Sequence, residues 1–370
     1  MIYADNAATT KICQAARDVI VELLDFYGNA SSSHELGIIA SQKINDARKT
    51  VKSLIGANES DNLIFTSGGT ESNNHALTIA SKIGKKRIII SEIEHSSVFN
   101  KAYELEKFGF EIKAVGIDKN GVVRLDELKT LINDNTALVS VMAVNNEIGT
   151  IQPIKEIGAM CKENGVLFHT DAVAAIGHLP INVTDMNIDM LSLSAHKFGG
   201  MQGVGALYVR SGVKVSPLIF GGPQENHLRA GTENVIGIAS LTAALNDACL
   251  HLEQRKKCLS ILSNRLSNRL LKLDNITVNG DNRIENILNL SFGGFNGEAM
   301  LLTLENNGIC ASIGSACNAS ETKPSRVLKA IGKTDDEALS SIRFSFSHDN
   351  TIEEIDYIAR SIEASITALK

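Results

Sequence analysis

The sequence predicts an α/β fold with a large, mostly parallel sheet and a smaller α+β portion near the C-terminal end. From about residue 60 to residue 210, short β-rich runs alternate with helical stretches, as in a sheet covered by helices on both sides. Most of these runs are apolar throughout, which is typical of strands buried on both faces. The length of 370 residues suits two domains.

The strands predicted for the large sheet are NLIFTS, RIIISE, ALVSVMAV, VLFHTDA, DMLSLSAH and VGALYVR. A helical pattern, IKEIGAMCKENG, precedes the fourth of them, and Gly165 is its expected C-terminal stop. An amphipathic helical pattern covers residues 236–273. The strands predicted beyond it are ILNLSF, CASIGS and SIRFSFS, and the helices lie around 297–307, 324–332 and 352–369. We expect a large domain over residues 15–255 and a small domain formed by 1–14 and 256–370.

Composition and charge argue against several classes of protein. The net charge of −6 is spread along the chain, so the basic face of a nucleic-acid-binding protein is not expected. No apolar run approaches the roughly 18 residues of a membrane span, and the start MIYADNAATT lacks the pattern of a signal peptide. The six cysteines form no CxxC pair, which argues against a metal site and favours reduced thiols. We expect a cytoplasmic protein that does not bind membranes.

Polar residues cluster where the predicted strands end. They are Thr66, Ser67, Gly68, Gly69, Glu94, His95, Asn145, Asn146, Asp171, Ser194, His196 and Lys197. The carboxyl ends of parallel strands meet at one edge of a sheet, where α/β proteins bind their ligands. The sequence therefore predicts a ligand site at this edge.

Three of these groups can be interpreted either as having a chemical role or as having a structural one. The glycine turn in TSGGTESNNHAL can hold a phosphate at a helix N-terminus, or it can simply begin a helix. Asp171 can keep a proton on a ring nitrogen, or it can cap a helix. Lys197, in SAHKFGG, can be a surface lysine, but an amine that loses hydration beside a buried strand becomes a nucleophile.

Together these residues resemble the site of pyridoxal-phosphate (PLP) enzymes of the aspartate-aminotransferase fold, which need a lysine, an acid, an anion cradle and a stacked ring. His95, which otherwise would be a structural histidine, supplies the ring. More specifically, the sequence resembles cysteine desulfurases of the NifS/IscS family. The resemblance depends on ten segments in the family's order: DNAATT, YGNASSSH, TSGGTESNN, EHSSV, VNNEIGTIQPI, HTDAVAAIGHLPI, SLSAHKFGG, RAGTENV, GSAC and IRFSFS.

The resemblance implies a type I fold with a seven-stranded, mostly parallel sheet, PLP as cofactor and a role for each matching residue. Lys197 corresponds to the lysine that binds the cofactor, His95 to the stacked ring that moves protons, and Asp171 to the partner of the pyridine nitrogen. The phosphate ligands correspond to Gly69, Thr70, Ser194 and His196. Asn146 and Arg343 correspond to the clamp on the substrate carboxylate, and Thr232 to the residue that reaches the other subunit of an obligate dimer.

The same resemblance makes Cys317 the nucleophile that takes sulfur from L-cysteine, leaving L-alanine and a persulfide. Its surroundings, SIGSACNASETKPS, are small, polar and rich in residues that break regular structure, which predicts an exposed, mobile loop. The sulfur would pass to an acceptor such as an iron–sulfur scaffold or a partner in tRNA or DNA thiolation.

The sequence departs from the family's pattern at four positions. Ala174 stands where a glutamine usually donates to the phenolate oxygen of the cofactor, Met201 and Gln202 where Pro-Lys is common, and Pro223 where glycine is usual. Two other functions stay open at this point. The chain could be another class-V enzyme, either an aminotransferase or a selenocysteine lyase, or an inactive scaffold that only binds sulfur-carrier partners.

Overall fold

The computed structural model describes residues 1–314 and 323–368. Its strands are β1 (Ile2–Tyr3), β2 (Asn62–Thr66), β3 (Arg87–Ser91), β4 (Glu111–Val115), β5 (Thr136–Ser140), β6 (Leu167–Asp171), β7 (Met190–Ser194), β8 (Gly205–Val209), β9 (Ile276–Asn279), β10 (Ile287–Phe292), β11 (Ile309–Cys310) and β12 (Ser341–Ser345). Its α-helices are α1 (Gln14–Leu23), α2 (Glu35–Leu54), α3 (Gly69–Ala80), α4 (Ser96–Glu106), α5 (Leu125–Leu131), α6 (Ile154–Glu163), α7 (Val235–Leu250), α8 (Leu252–Leu270), α9 (Gly297–Asn306), α10 (Arg326–Ala330), α11 (Asp335–Leu339) and α12 (Ile352–Ala368). Short 3-10 turns cover Ala195–Lys197 and Gln224–His227.

In the described part of the chain, seven strands form the large sheet in the order β2-β8-β7-β6-β5-β3-β4. Strand β8 is antiparallel to both of its neighbours, and the other pairs are parallel. Strands β2, β3, β5, β6 and β7 therefore point the same way and end at one edge. This confirms the predicted sheet and adds β4, which the sequence reading did not identify.

The apolar runs are buried on both faces of this sheet, as predicted. In β3, Ile88 and Ile90 belong to the core on one face, while Ile89 belongs to the core on the other. All three side chains are fully buried. Because side chains alternate along a strand, helices on both faces require a continuous apolar run.

A second, antiparallel sheet, with the order β12-β10-β9, lies in the C-terminal part. Leu262 and Leu266 of α8 and Ile358 and Ile362 of α12 are buried in the core that it shares with those helices. The N-terminal segment joins this region, because β1 pairs with β11 and Asp5 bridges to β12. The proposed domain limits at residues 15 and 255 stay a prediction.

The helical pattern over residues 236–273 forms two helices, α7 and α8, which meet at an angle of 73° next to His251. Across the described residues, no single helix is long and apolar enough to cross a membrane. The bent pair of α7 and α8 together has the length and composition of a membrane span, but by those two measures only. Gly165 ends α6 as predicted, since it has φ of +59° one residue beyond the cap. Over the described residues 310–314, the predicted strand was wrong in extent, because β11 ends at Cys310. Residue 315 of that prediction lies outside the described residues.

Candidate active site

A cavity of about 290 Å³ lies at the edge where the parallel strands end. Nine of the predicted site residues line it: Gly69, Thr70, His95, Asn146, Asp171, Ser194, His196, Lys197 and Arg343. They come from elements spread over more than 270 residues of sequence, and the sheet topology brings them together. The volume is close to the lower end of the range for small-molecule sites.

Lys197 lies on the tight turn that follows β7. Its Nζ donates hydrogen bonds to the carbonyl oxygens of Ala7 and Ala8, the second at 3.0 Å. The N-terminal segment is itself fixed, since the Ala7 N–H donates to Ser345 Oγ at 2.8 Å. The amine is therefore held at the wall of the cavity by backbone oxygens and not extended into solvent.

The glycine turn before α3 forms a concave surface in the cavity. Gly68 has φ of +150°, where glycine is favoured, and a Cβ on Gly69 would lie 2.6 Å from Val173 Cγ2. A side chain at Gly69 would therefore require Val173 to move, and the start of α3, at Gly69 and Thr70, lines the cavity. Helix N-termini with free backbone N–H groups bind anions.

His196 lines the same cavity as the glycine turn, in a form that suits anion binding through a neutral N–H. Burial, and then the nearby Lys197, lowers the pKa of the imidazole to about 4. Its Nδ1 lies 3.1 Å from Thr9 Oγ1, and Gln202 Nε2 donates to the same Thr9 oxygen at 3.2 Å. Gln202, at one of the unusual positions, thus contacts the site through Thr9.

Asp171 is the last residue of β6, and its side chain is buried. Its Oδ1 accepts from the Val173 N–H at 3.0 Å, and its Oδ2 accepts from Asn73 Nδ2 at 2.7 Å. Two donors therefore fix the carboxylate, which lines the cavity. It does not cap a helix, which was the structural alternative.

His95 lies at the N-terminal end of α4, where its Nδ1 accepts from the Ser97 N–H at 3.2 Å and lies 2.8 Å from Ser97 Oγ. The preceding Glu94 is fully buried, and burial is the main cause that raises the pKa of its carboxyl from 4.5 to about 8. The Ser91 hydroxyl and the Met142 N–H donate to Glu94 Oε1 at 2.5 and 2.8 Å. Glu94 is therefore mainly neutral at pH 7.

Arg343 is 1% exposed and reaches the cavity from β12 of the second sheet. Its Nη2 donates to Asp5 Oδ1 at 2.7 Å, and its Nη1 donates to the carbonyl oxygen of Asn146 at 2.9 Å. Its Nε is buried and has no partner among the described residues. Because guanidinium has five N–H donors, donors are left for an anion in the cavity.

One predicted residue, Thr232, does not line this cavity. Thr232 lines a separate pocket of about 170 Å³ together with Arg229 and Glu233. Cys317 lies outside the described residues. Among the other strand-end polar residues, Asn145 has a structural role, because its side-chain oxygen accepts from the N–H groups of Glu147 and Ile148.

The unusual positions have local consequences. Ala174 lines the cavity with a methyl group, so no side-chain donor comes from this position. The Met201 N–H donates to Ser240 Oγ at 3.0 Å, a bond that proline could not make. Pro223 has φ of −81°, which proline adopts readily.

Sequence reasoning missed three residues that contact the site: Asp5, Asn73 and Ser97. All three lie in segments that carried the resemblance, but none received a role. The position of Asn73 in the first turns of α3, below the glycine turn, is a signal that could have identified it. Asp5 had no comparable signal, because its contact with Arg343 joins parts of the chain distant in sequence. Ser97 lies two residues after His95, which is a local signal that could have identified it.

Comparisons with known proteins agree on one family. The aminotransferase class-V profile matches residues 2–358. The chain is 45% identical to the cysteine desulfurase IscS of Methanosarcina thermophila over 378 residues, covering 100% of this chain and 93% of that protein. A solved NifS-like protein superimposes with a TM-score of 0.93 at 36% identity, covering 100% of both chains. The protein SspA, solved in complex with cysteine, superimposes with a TM-score of 0.83 at 34% identity, covering 95% of this chain and 100% of that one.

Proposed function

Because this chain belongs to the aminotransferase class-V family and is a PLP-dependent cysteine desulfurase, we propose that the cavity at the sheet edge is its active site. The observation that carries this proposal is that the Lys197 amine, the Asp171 carboxylate, the His95 ring and the glycine turn all line one cavity. Each was predicted from the sequence separately, and four unrelated surface residues would not meet in this way.

The residues present fit PLP. The glycine turn, the N-terminus of α3 and the neutral His196 suit its phosphate, and the buried Asp171 suits its pyridine nitrogen. Lys197 would supply the amine for its aldehyde, and His95 would supply the ring for its heterocycle. When bound, the cofactor stores the electrons released as bonds to the substrate's Cα break.

The substrate is held by its carboxylate. Arg343 is kept in place by Asp5 and by the carbonyl oxygen of Asn146, and its remaining N–H groups meet the carboxylate of L-cysteine. The Asn146 side chain supplies a further donor. The Lys197 amine, which lines the cavity, would take the proton from the substrate's Cα.

Cys317 receives the sulfur. Its thiolate attacks the sulfur of the substrate, so that an S–S bond forms while the Cβ–S bond breaks. The electron pair stays with the carbon part of the substrate, which is protonated and leaves as L-alanine. The persulfide then passes its terminal sulfur to an acceptor, a scaffold or carrier protein or a thiolation partner, in the cytoplasm where thiols stay reduced.

The enzyme is a homodimer in which Thr232 reaches the site of the other subunit. The support for this is its position: Thr232 lies away from its own cavity, in a pocket beside the ion pair between Arg229 and Glu71. An exposed Thr232 that contacts no cofactor in its own subunit is available to the neighbour. Mixed dimers that carry Thr232→Ala in one subunit and Lys197→Ala in the other test this arrangement. The mixed dimer should be active, because one of its cavities keeps its own Lys197 and receives an intact Thr232 from the neighbouring subunit. Each single variant alone should be inactive.

The test of the activity is alanine and sulfur release from L-cysteine without any α-keto acid. Cys317→Ser should keep the visible absorption of bound PLP and lose sulfur transfer, whereas the control Cys310→Ser should keep the wild-type rate. A requirement for a keto acid would identify an aminotransferase. A protein that stays colourless with PLP would identify an inactive scaffold, and Cys317→Ser with the native rate would exclude Cys317 as nucleophile.

A further inference from the structure

A buried chain of hydrogen bonds joins two groups that line the cavity, Asp171 and His95. Asn73 of α3 lies between them: one bond runs from its Nδ2 to Asp171 Oδ2 at 2.7 Å, and another from Nδ2 to Ser97 Oγ at 2.8 Å. Ser97 Oγ lies in turn 2.8 Å from His95 Nδ1. Asn73 is 1% exposed, Asp171 4% and Ser97 9%, so bulk water does not compete for these bonds.

The chemistry of the groups fixes the direction of each bond. A carboxylate only accepts, so the side-chain nitrogen of Asn73, and not its oxygen, must face Asp171. The second hydrogen of the same nitrogen points to Ser97 Oγ, which therefore accepts. The hydroxyl of Ser97 has one proton, and His95 Nδ1 is the acceptor within reach.

The backbone agrees with this direction. The N–H of Ser97 also points at His95 Nδ1, at 3.2 Å. A proton on Nδ1 would instead oppose the Ser97 N–H, so that bond would be lost, and the Ser97 hydroxyl proton would have to turn away from this nitrogen. We propose that Asn73 and Ser97 form a positioning relay that holds the neutral ring of His95 with its proton on Nε2, and that links this ring to Asp171.

The inference rests on the proposed function, because it concerns how His95 serves the cavity. With its proton on Nε2, the opposite edge of the ring donates a proton or hydrogen bond, and it does not accept one. His95 thus acts as a donor toward the reacting molecule, while Lys197 is the base. The same Asn73 amide orients the carboxylate that faces the pyridine nitrogen, so the ring and the acid cannot turn independently.

The test uses holoenzyme labelled with ¹⁵N-histidine, with the His95 signals among the nine histidines identified by their loss in His95→Gln. In the wild type, we expect the Nδ1 signal of an unprotonated, hydrogen-bonded nitrogen and a protonated Nε2. Ser97→Ala should move the Nδ1 signal toward that of a nitrogen without a hydroxyl donor. It should also lower kcat about tenfold, with little change in KM, since one hydrogen bond at the ring is lost.

Two variants keep the test specific. Ser97→Thr retains a hydroxyl and should restore both the Nδ1 signal and kcat. Ser96→Ala removes a neighbouring hydroxyl in the same helical turn, which makes no side-chain hydrogen bond to any residue that the structure describes, and should change neither. A protonated Nδ1 in the wild type, or an unchanged Nδ1 signal in Ser97→Ala, would overturn the relay. The Nδ1 signals are measured independently of turnover, so the two kinds of failure can be told apart. A failure of the proposed function would appear as a His95→Gln enzyme with the native rate, whereas a failure of the relay would appear in the Nδ1 signals.

Discussion

Replacing Glu94 by glutamine should make the protein less sensitive to rising pH. Glu94 is 1% exposed, and one of its carboxyl oxygens, Oε2, is buried without a partner among the described residues. Burial raises the pKa of the carboxyl from 4.5 to about 8, and the nearby Asp171 adds to the shift. The folded protein therefore holds this proton more tightly than the unfolded chain does.

The sign and size follow from linkage. Well below pH 4.5 the carboxyl is protonated in both states, so its ionisation adds no cost to folding. As the pH rises toward 8, the unfolded chain releases the proton first, and the folded state loses stability. Relative to low pH, the free energy of unfolding falls by about 1 kcal/mol at pH 5 and by about 3 kcal/mol at pH 7. Glu94→Gln has the shape of the protonated acid and can keep the bonds from Ser91 and Met142, so it avoids this loss.

Urea unfolding of both proteins at pH 5, 6, 7 and 8, followed by circular dichroism, measures the difference. Between pH 5 and pH 7, the free energy of unfolding of Glu94→Gln should rise by about 2 kcal/mol relative to that of the wild type. The control Glu92→Gln, a half-buried neighbour on the same turn, should follow the wild-type curve. Parallel curves for Glu94→Gln and the wild type would refute the reasoning.

Two further changes test other contacts. Asp5→Asn removes the charged partner of Arg343 and should raise KM for L-cysteine about tenfold with a smaller effect on kcat; steady-state kinetics with an unchanged KM would contradict this role. His227 has φ of +64° next to two other residues with positive φ, so His227→Gly should raise stability by up to about 1 kcal/mol. Thermal unfolding in which His227→Gly melts at or below the wild-type temperature would show that this backbone is not strained.

The fold was predictable because the strands buried on both faces have an unmistakable composition. The run around Ile88–Ile90 is one example, and the sheet edge followed from where such runs end. Strand β4 was not recognised, because several of its side chains are only partly buried, which leaves no continuous apolar run. The break at His251 was missed for a similar reason, since the helical pattern continues across it.

The site was predictable where chemistry lies directly after a strand, as for Asp171 and Lys197. It was not predictable where a contact joins distant parts of the chain. Asn73 and Asp171 are separated by 98 positions, and Asp5 and Arg343 by 338. No local pattern encodes such pairs. The role of Thr232 depends on a second subunit, and it therefore stays a prediction.

The central claim is that the amine of Lys197 binds the cofactor in the cavity at the sheet edge. Borohydride reduction of the PLP-saturated enzyme, followed by proteolysis and peptide mass mapping, tests it directly. We expect the reduced pyridoxyl group on the peptide that contains Lys197, and no such peptide from Lys197→Ala. An unmodified Lys197 peptide from saturated enzyme, or the adduct on a different lysine, would contradict the account.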